Sequence, residues 1–188
     1  ACGVVFLFYS YSNGVKIGEK NNKNGWTTFS YQIHNPINSY GVTVNIGDYV
    51  TTNNNFHGTS GKLDLQFVSL RNHVNEAKGQ WKQVFDILAA YEYYFGPYPF
   101  YEDGLKIIET PFLGMEHQGA IAYGNEFKNG YLQRDLSGTG WGMNFDFILV
   151  HEIAHEWFGN SITASDIADM WIQESFTSYA ESLFLEWN

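Results

Sequence analysis

The stretch His151-Glu-Ile-Ala-His-Glu-Trp-Phe-Gly-Asn160, with Glu174 further on, decides how this chain is read. Two imidazoles four residues apart are neighbours on one face of a helix and can reach a single metal ion. Glu152 lies about 100° round the helix from His151. It is poorly placed as a third ligand but well placed to take a proton from an attacking water. The missing ligand has to come from elsewhere, and Glu174 supplies it. Eighteen residues separate it from His155, room for Gly159-Asn160 to end one helix and for a loop through Ser165 to enter the next. Two His and one carboxylate leave a fourth position open, the arrangement of a catalytic rather than a structural zinc. In a chain of this composition an H-E-x-x-H string arises by chance in roughly one sequence in a hundred. Its setting makes chance a weaker account still, since unpartnered His and Glu are costly in an apolar helix.

Working outward, residues 145–158 are expected to form that helix, with Asn144 as N-cap and Gly159 as the stop. Its apolar residues run almost all the way round, which predicts burial. A second helix is expected from about Ile167. Ile172, Phe176, Tyr179 and Leu183 would be its inward stripe, leaving Glu174, Thr177, Ser178 and Glu181 on another face. Upstream, residues 76–95 carry Trp81, Val84, Phe85, Leu88, Tyr91 and Phe95 at spacings of three and four, which predicts one helix ended by Gly96-Pro97. Residues 63–68, 105–109 and 120–123 read as strands, 110–119 as turn-prone and 137–142 as a glycine-rich loop.

Residues 4–50 are short apolar or aromatic runs punctuated by Ser12-Asn-Gly, Asn24-Gly-Trp and His34-Asn-Pro, the pattern of an antiparallel sheet that begins with a strand at 4–9. The Asn/Thr/Gly-rich residues 51–61 are the best candidate for a linker or inter-strand loop. The expected fold is therefore α+β. A β-rich portion over 1–52 would precede a metal-bearing α+β portion over 53–188.

Composition narrows the function. The chain has 188 residues and a formal charge of −10, and Lys and Arg form no run. That argues against a nucleic-acid surface and against binding to anionic membranes, leaving peptides or small molecules as partners. The single cysteine, Cys2, forms no internal disulfide and says little about compartment. The apolar run at 4–9 is too short to span a bilayer and lacks the features of a signal peptide. No initiating methionine is present and the last residues still read as helix interior, so the chain is expected to be a segment of a longer protein. Surfaces left uncovered in such a segment would favour self-association.

Beyond these residues the sequence resembles the M1 family of zinc aminopeptidases. HEIAHEWFGN followed by WIQESFT resembles that family's zinc motif, and GMEHQGAIAYGN its exopeptidase motif, usually written G-x-M-E-N. NPINSYGVTVNIG and FGPYPF are similar to family segments too, so the likeness runs from about Trp26 onward. The resemblance implies a thermolysin-like catalytic portion with one zinc on His151, His155 and Glu174, and with Glu152 as general base. Glu116 would hold the substrate's free α-amine, with Gly114 and Met115 shaping the backbone beside it. Peptides with a free N-terminus would be the substrates.

The sequence departs from the motif at Leu113, where the first Gly is usual, and at His117, where Asn is usual. The family's oxyanion tyrosine and second amine anchor would lie outside residues 1–188, so this segment alone is expected to show little or no peptidase activity. The compartment stays open, the resemblance alone favouring a bacterial cell envelope or secretion over the cytoplasm. A thermolysin-type endopeptidase, an epoxide hydrolase like the leukotriene branch of the family, and a silent zinc-containing peptide-binding module are the alternative readings.

Overall fold

A computed structural model describes residues 8–23 and 25–188. Cys2, most of the run at 4–9 and Asn24 lie outside the described residues. Nine strands are seen among those described. β1 (Tyr9–Ser12) pairs with β4 (Val44–Gly47), and β2 (Val15–Asn22) with β3 (Trp26–Gln32), each antiparallel. β5 (Tyr49–Gly58), β6 (Gly61–Leu70), β7 (Leu105–Glu109), β8 (Gly114–Met115) and β9 (Ala120–Tyr123) form a mixed sheet in the order β5-β6-β7-β9-β8. β6, β7 and β9 run parallel, while β5 and β8 are antiparallel edges.

Alternation along the central strands sends residues to two cores. Leu105, Ile107, Ile121 and Tyr123 face helices, joining α2 (Gln83–Phe95) and α3 (Phe147–Ala154) through Val84, Leu88, Tyr91, Leu149 and Ile153. Val68, Ile108 and Ala120 face the other way, against Tyr49 and the aromatic residues of β1. With both faces covered, β7 is buried along its whole length. Lys106 also points to this second side, where its Nζ donates to the Gly14 carbonyl. Burial lowers its pKa to about 8. Asn13 ties the same side together, donating to the carbonyls of Gly41 and Gln118 and accepting from the Thr43 amide.

Four expectations need correction. Residues 51–61 are no linker: they are most of β5 and its turn into β6, paired from Tyr49↔Leu70 to Gly58↔Gly61. Their Thr and Asn side chains suit an edge strand with a wet face, and the division expected at 52/53 falls inside β5. The helix expected over 76–95 is two, α1 (Val74–Gln80) and α2, separated at Trp81-Lys82. Both residues keep helical dihedrals, the amides of Val84 and Phe85 bond back three residues rather than four, and the Trp81 indole stacks on Phe67 (5.7 Å, 12°) and meets Tyr123 edge-on. The helix at the metal motif is capped by Asp146 rather than Asn144, and regular helix stops at Ala154, continuing through Phe158 as tight turns. Finally, the stripe expected to face inward on α4 (Trp171–Trp187) faces out: Phe176 is 50% and Tyr179 60% exposed. Gln173, Thr177, Ala180 and Phe184 are buried instead. Small Thr177 and Ala180 let α4 approach α3 closely, which the bulkier stripe would not. None of the described helices is long and apolar enough to cross a membrane.

Asp146 anchors the start of α3. Its buried carboxylate accepts from the Ile148 and Leu149 amides (3.0 and 3.2 Å), Gln80 Nε2 (2.7 Å), Asn125 Nδ2 (2.8 Å) and the Tyr123 hydroxyl (2.5 Å). Asp146→Ala removes a cap worth about 1 kcal/mol and strands buried donors at about 1–3 kcal/mol more. Urea unfolding should show a loss of at least ~2 kcal/mol; a loss below ~0.5 kcal/mol would show that the network does not hold the helix.

Candidate metal centre

α3 and α4 pack side by side and bring His151, His155 and Glu174 to one point. The Nε2 atoms of the two histidines are 3.2 Å apart. The Glu174 carboxylate lies 3.4 Å from His151 Nε2 and 3.5 Å from His155 Nε2. Ligands about 2.0–2.1 Å from a tetrahedral ion are about 3.3 Å from one another, so the triangle fits one such ion.

The far side of each ring is also fixed. His151 Nδ1 is 2.6 Å from Glu181 Oε1. His155 Nδ1 is 2.9 Å from the Phe158 carbonyl and 3.1 Å from Thr177 Oγ1. With both Nδ1 atoms engaged, both Nε2 atoms are turned toward Glu174, the orientation metal-binding histidines take.

Electrostatics agree with the geometry. Burial opposes charge on His155, yet Glu174, Glu116, the Phe158 carbonyl and Glu152 outweigh it and raise its pKa to about 9. Burial likewise opposes charge on His151, and Glu181 and Glu152 turn the net shift upward. The hydrogen bond from His155 holds Glu174 below the usual carboxylate range. Carboxylates thus surround the two rings, a setting for a cation.

Glu152, 6% exposed, sits beside this triangle. Burial pushes its pKa up to about 7, with His151 and His155 pulling down and Glu116 and Glu174 pushing up. A side chain on Gly114 would overlap Glu152 Oε1, so glycine in β8 is what lets the carboxylate lie against the sheet edge. Met115 follows in β8, and Glu116 comes directly after it. Ligand atoms of Glu116, Glu152 and His155 lie within 4.8 Å of one another.

The two departures from the motif have plain places. Leu113 packs against the main core, and its carbonyl accepts from the Gly124 amide (2.8 Å). His117 stays out of both groupings of potential ligands, its Nδ1 buried without a partner and its pKa lowered by burial. Four residues at the site had no sequence assignment: Glu181, Thr177, Glu156 and Asn160. Glu181 and Thr177 stand seven and three residues after Glu174, the spacing of a shared helix face, so periodicity carried a usable signal.

The family model of the Peptidase family M1 domain matches residues 80–188. The chain belongs to peptidase family M1. Human aminopeptidase B is 29% identical over 162 residues, covering 85% of this chain and 22% of its own length. "Probable aminopeptidase 2" of Sulfurisphaera tokodaii is 27% identical over 135 residues, 68% of this chain and 17% of its own length. The chain thus spans about a fifth of these curated M1 relatives. A crystal structure of an M1 zinc metallopeptidase from Deinococcus radiodurans superposes with a TM-score of 0.72 at 20% identity, covering 95% of this chain and 38% of that one. A two-domain M1 zinc metallopeptidase mutant bound to L-tryptophan gives 0.75, with the same identity and coverage. These likenesses bear on the fold, which is the α+β arrangement expected from the sequence.

Glu181 orients His151 and should matter to metal affinity out of proportion to its distance from the ion. Glu181→Ala should weaken zinc binding by about 10–100-fold in a competitive chelator titration. An affinity within twofold of wild type would show that His151 is held without it.

Proposed function

We propose that this segment carries the zinc site and general base of an aminopeptidase that removes residues from the amino end of peptides. One observation carries the reading: the three potential ligands, a buried glutamate and a second glutamate on the sheet edge all converge on one spot. The names of the matched relatives support it, two of them aminopeptidases and two zinc metallopeptidases.

His151, His155 and Glu174 would hold one zinc, which when bound polarises the scissile carbonyl and lowers the pKa of water toward about 7. Glu152 takes the proton of the attacking water on a carboxylate oxygen and delivers it to the leaving amine nitrogen. A buried carboxylate raised toward neutrality suits both halves of that transfer. Glu116 receives the substrate's α-ammonium, a charge-assisted contact that strengthens where water is excluded. In a peptide the α-amine nitrogen is about 2.5 Å from the first carbonyl carbon, two bonds away. An amine held at Glu116 therefore brings the first peptide bond, rather than a later one, beside Glu152 and His155. An endopeptidase would have no use for an acid at this point.

Two substitutions in the full-length protein test the division of labour. Glu152→Gln should keep one zinc per chain while kcat falls by about 10²–10⁴-fold; near-normal turnover would remove Glu152 from the reaction. Glu116→Ala should raise KM for free-amine peptides and narrow the preference for them over N-acetylated ones. If the wild type cleaves both kinds equally well, the aminopeptidase reading fails and an endopeptidase takes its place.

A further inference from the structure

Glu116 lies just past a two-residue strand, so sheet pairing alone does not fix where its carboxylate sits. β8 is paired through Gly114↔Tyr123 and Met115↔Ala122, and the chain then leaves the ladder until Ala120. The segment between is tied to the turn that bears His155. The Gly119 amide donates to both carboxylate oxygens of Glu156, at 3.0 and 3.2 Å. Asn160 Nδ2 donates to the backbone carbonyl of Glu116 at 2.9 Å and to Glu156 Oε1 at 3.3 Å. The Asn160 amide in turn donates to the His155 carbonyl at 3.0 Å.

Glu156 is fully buried, and the Tyr98 hydroxyl donates to its second oxygen at 2.7 Å. Every polar contact of this carboxylate is thus spent on holding neighbours. His155 and Glu156 are adjacent in sequence and serve opposite sides of the turn: one ring looks to the metal position, the other side chain to the loop behind Glu116. Asn160 closes the link, joined at once to the His155 backbone, the Glu156 carboxylate and the Glu116 backbone.

We infer that Glu156 and Asn160 are positioning residues that gauge the distance from the Glu116 carboxylate to the histidine pair, and so determine how well a free amino terminus is gripped with its first peptide bond in register. The inference rests on the aminopeptidase reading. It assigns to Glu156 and Asn160 no contact with substrate or metal. Their effect passes through the backbone at Glu116 and Gly119, and a misplacement of about 1 Å in such a gauge is enough to be felt in catalysis.

The test uses the full-length protein, with zinc content measured alongside steady-state kinetics on matched free and N-acetylated peptides. Asn160→Ala should retain zinc, raise KM for free-amine peptides about tenfold with a smaller fall in kcat, and narrow the preference over acetylated peptides. Amide exchange over 116–119 should quicken while that of α3 does not. Glu156→Gln keeps an oxygen to accept from Gly119 and should show the same changes in milder form. A tie that merely stabilises the fold would lower the melting temperature and leave KM, the preference and loop exchange as in the wild type; that result in Asn160→Ala overturns the inference. Should Asn160→Ala fail to fold, an unchanged KM in Glu156→Gln overturns it instead. A wild type without preference for free amines defeats the aminopeptidase reading and this inference with it, whereas a wild type that has the preference and an Asn160→Ala variant that keeps it defeat the inference alone.

Discussion

α3 and the turn that follows it carry four ionisable side chains in succession, His151 and Glu152 on the helix and His155 and Glu156 on the turn, all but the partly exposed His151 buried. Placing such groups in an apolar interior costs several kcal/mol each unless each finds a partner. Much of the surrounding structure can be understood as meeting that demand. α4 brings Glu181 to one histidine and Thr177 to the other, with Glu174 between the rings. The Phe-Gly-Pro-Tyr turn after α2 brings Tyr98 to Glu156. β8 is kept bare at Gly114 so that Glu152 can rest on it.

The same demand accounts for the way α4 lies. A helix rich in Trp, Phe and Tyr would be expected to bury them, and by area alone that is the better solution. Here the buried line runs through Gln173, Thr177 and Ala180 because the opposing surface of α3 is partly polar and very close. Gln173 reaches Thr163 and Thr177 reaches His155. Phe176 is left to stack on Phe158 at the rim, 5.2 Å between ring centres. Polar matching at this contact, continued by Ala180 and Phe184, sets which line of α4 faces α3.

What the sequence made legible was local. The i, i+4 histidines and the strands at 63–68, 105–109 and 120–123 depend on neighbours a few residues away, and each is in place. What it hid was non-local. Asn144 and Asp146 are both acceptable caps on local grounds, and the choice is made by Gln80, Tyr123 and Asn125, which reach Asp146 from α1, from β9 and from the loop just after it. Residues 51–61 looked like a loop because Thr and Asn are poor core residues, yet a ten-residue edge strand needs a core on one side at most. Glu116 was readable through its motif, whereas its links to Asn160 follow from a loop path that no periodicity encodes.

The outer face of the mixed sheet has a consequence in time as well as in space. Val68, Ile108 and Ala120 are covered by Tyr49 and the aromatic residues of β1, and the seal is completed by Asn13 bonding to Gln118, 105 residues away along the chain. Loop closure over such a span has to be met before its contacts return anything, so pairings of this kind form late. The helical side, whose contacts are nearer in sequence, can gather first. During the interval a largely apolar sheet face, with Lys106 upon it, stands open to water, and copies of the chain compete with the N-terminal strands for it. The order in which the two faces close therefore bears on how much of the newly made chain reaches its native state.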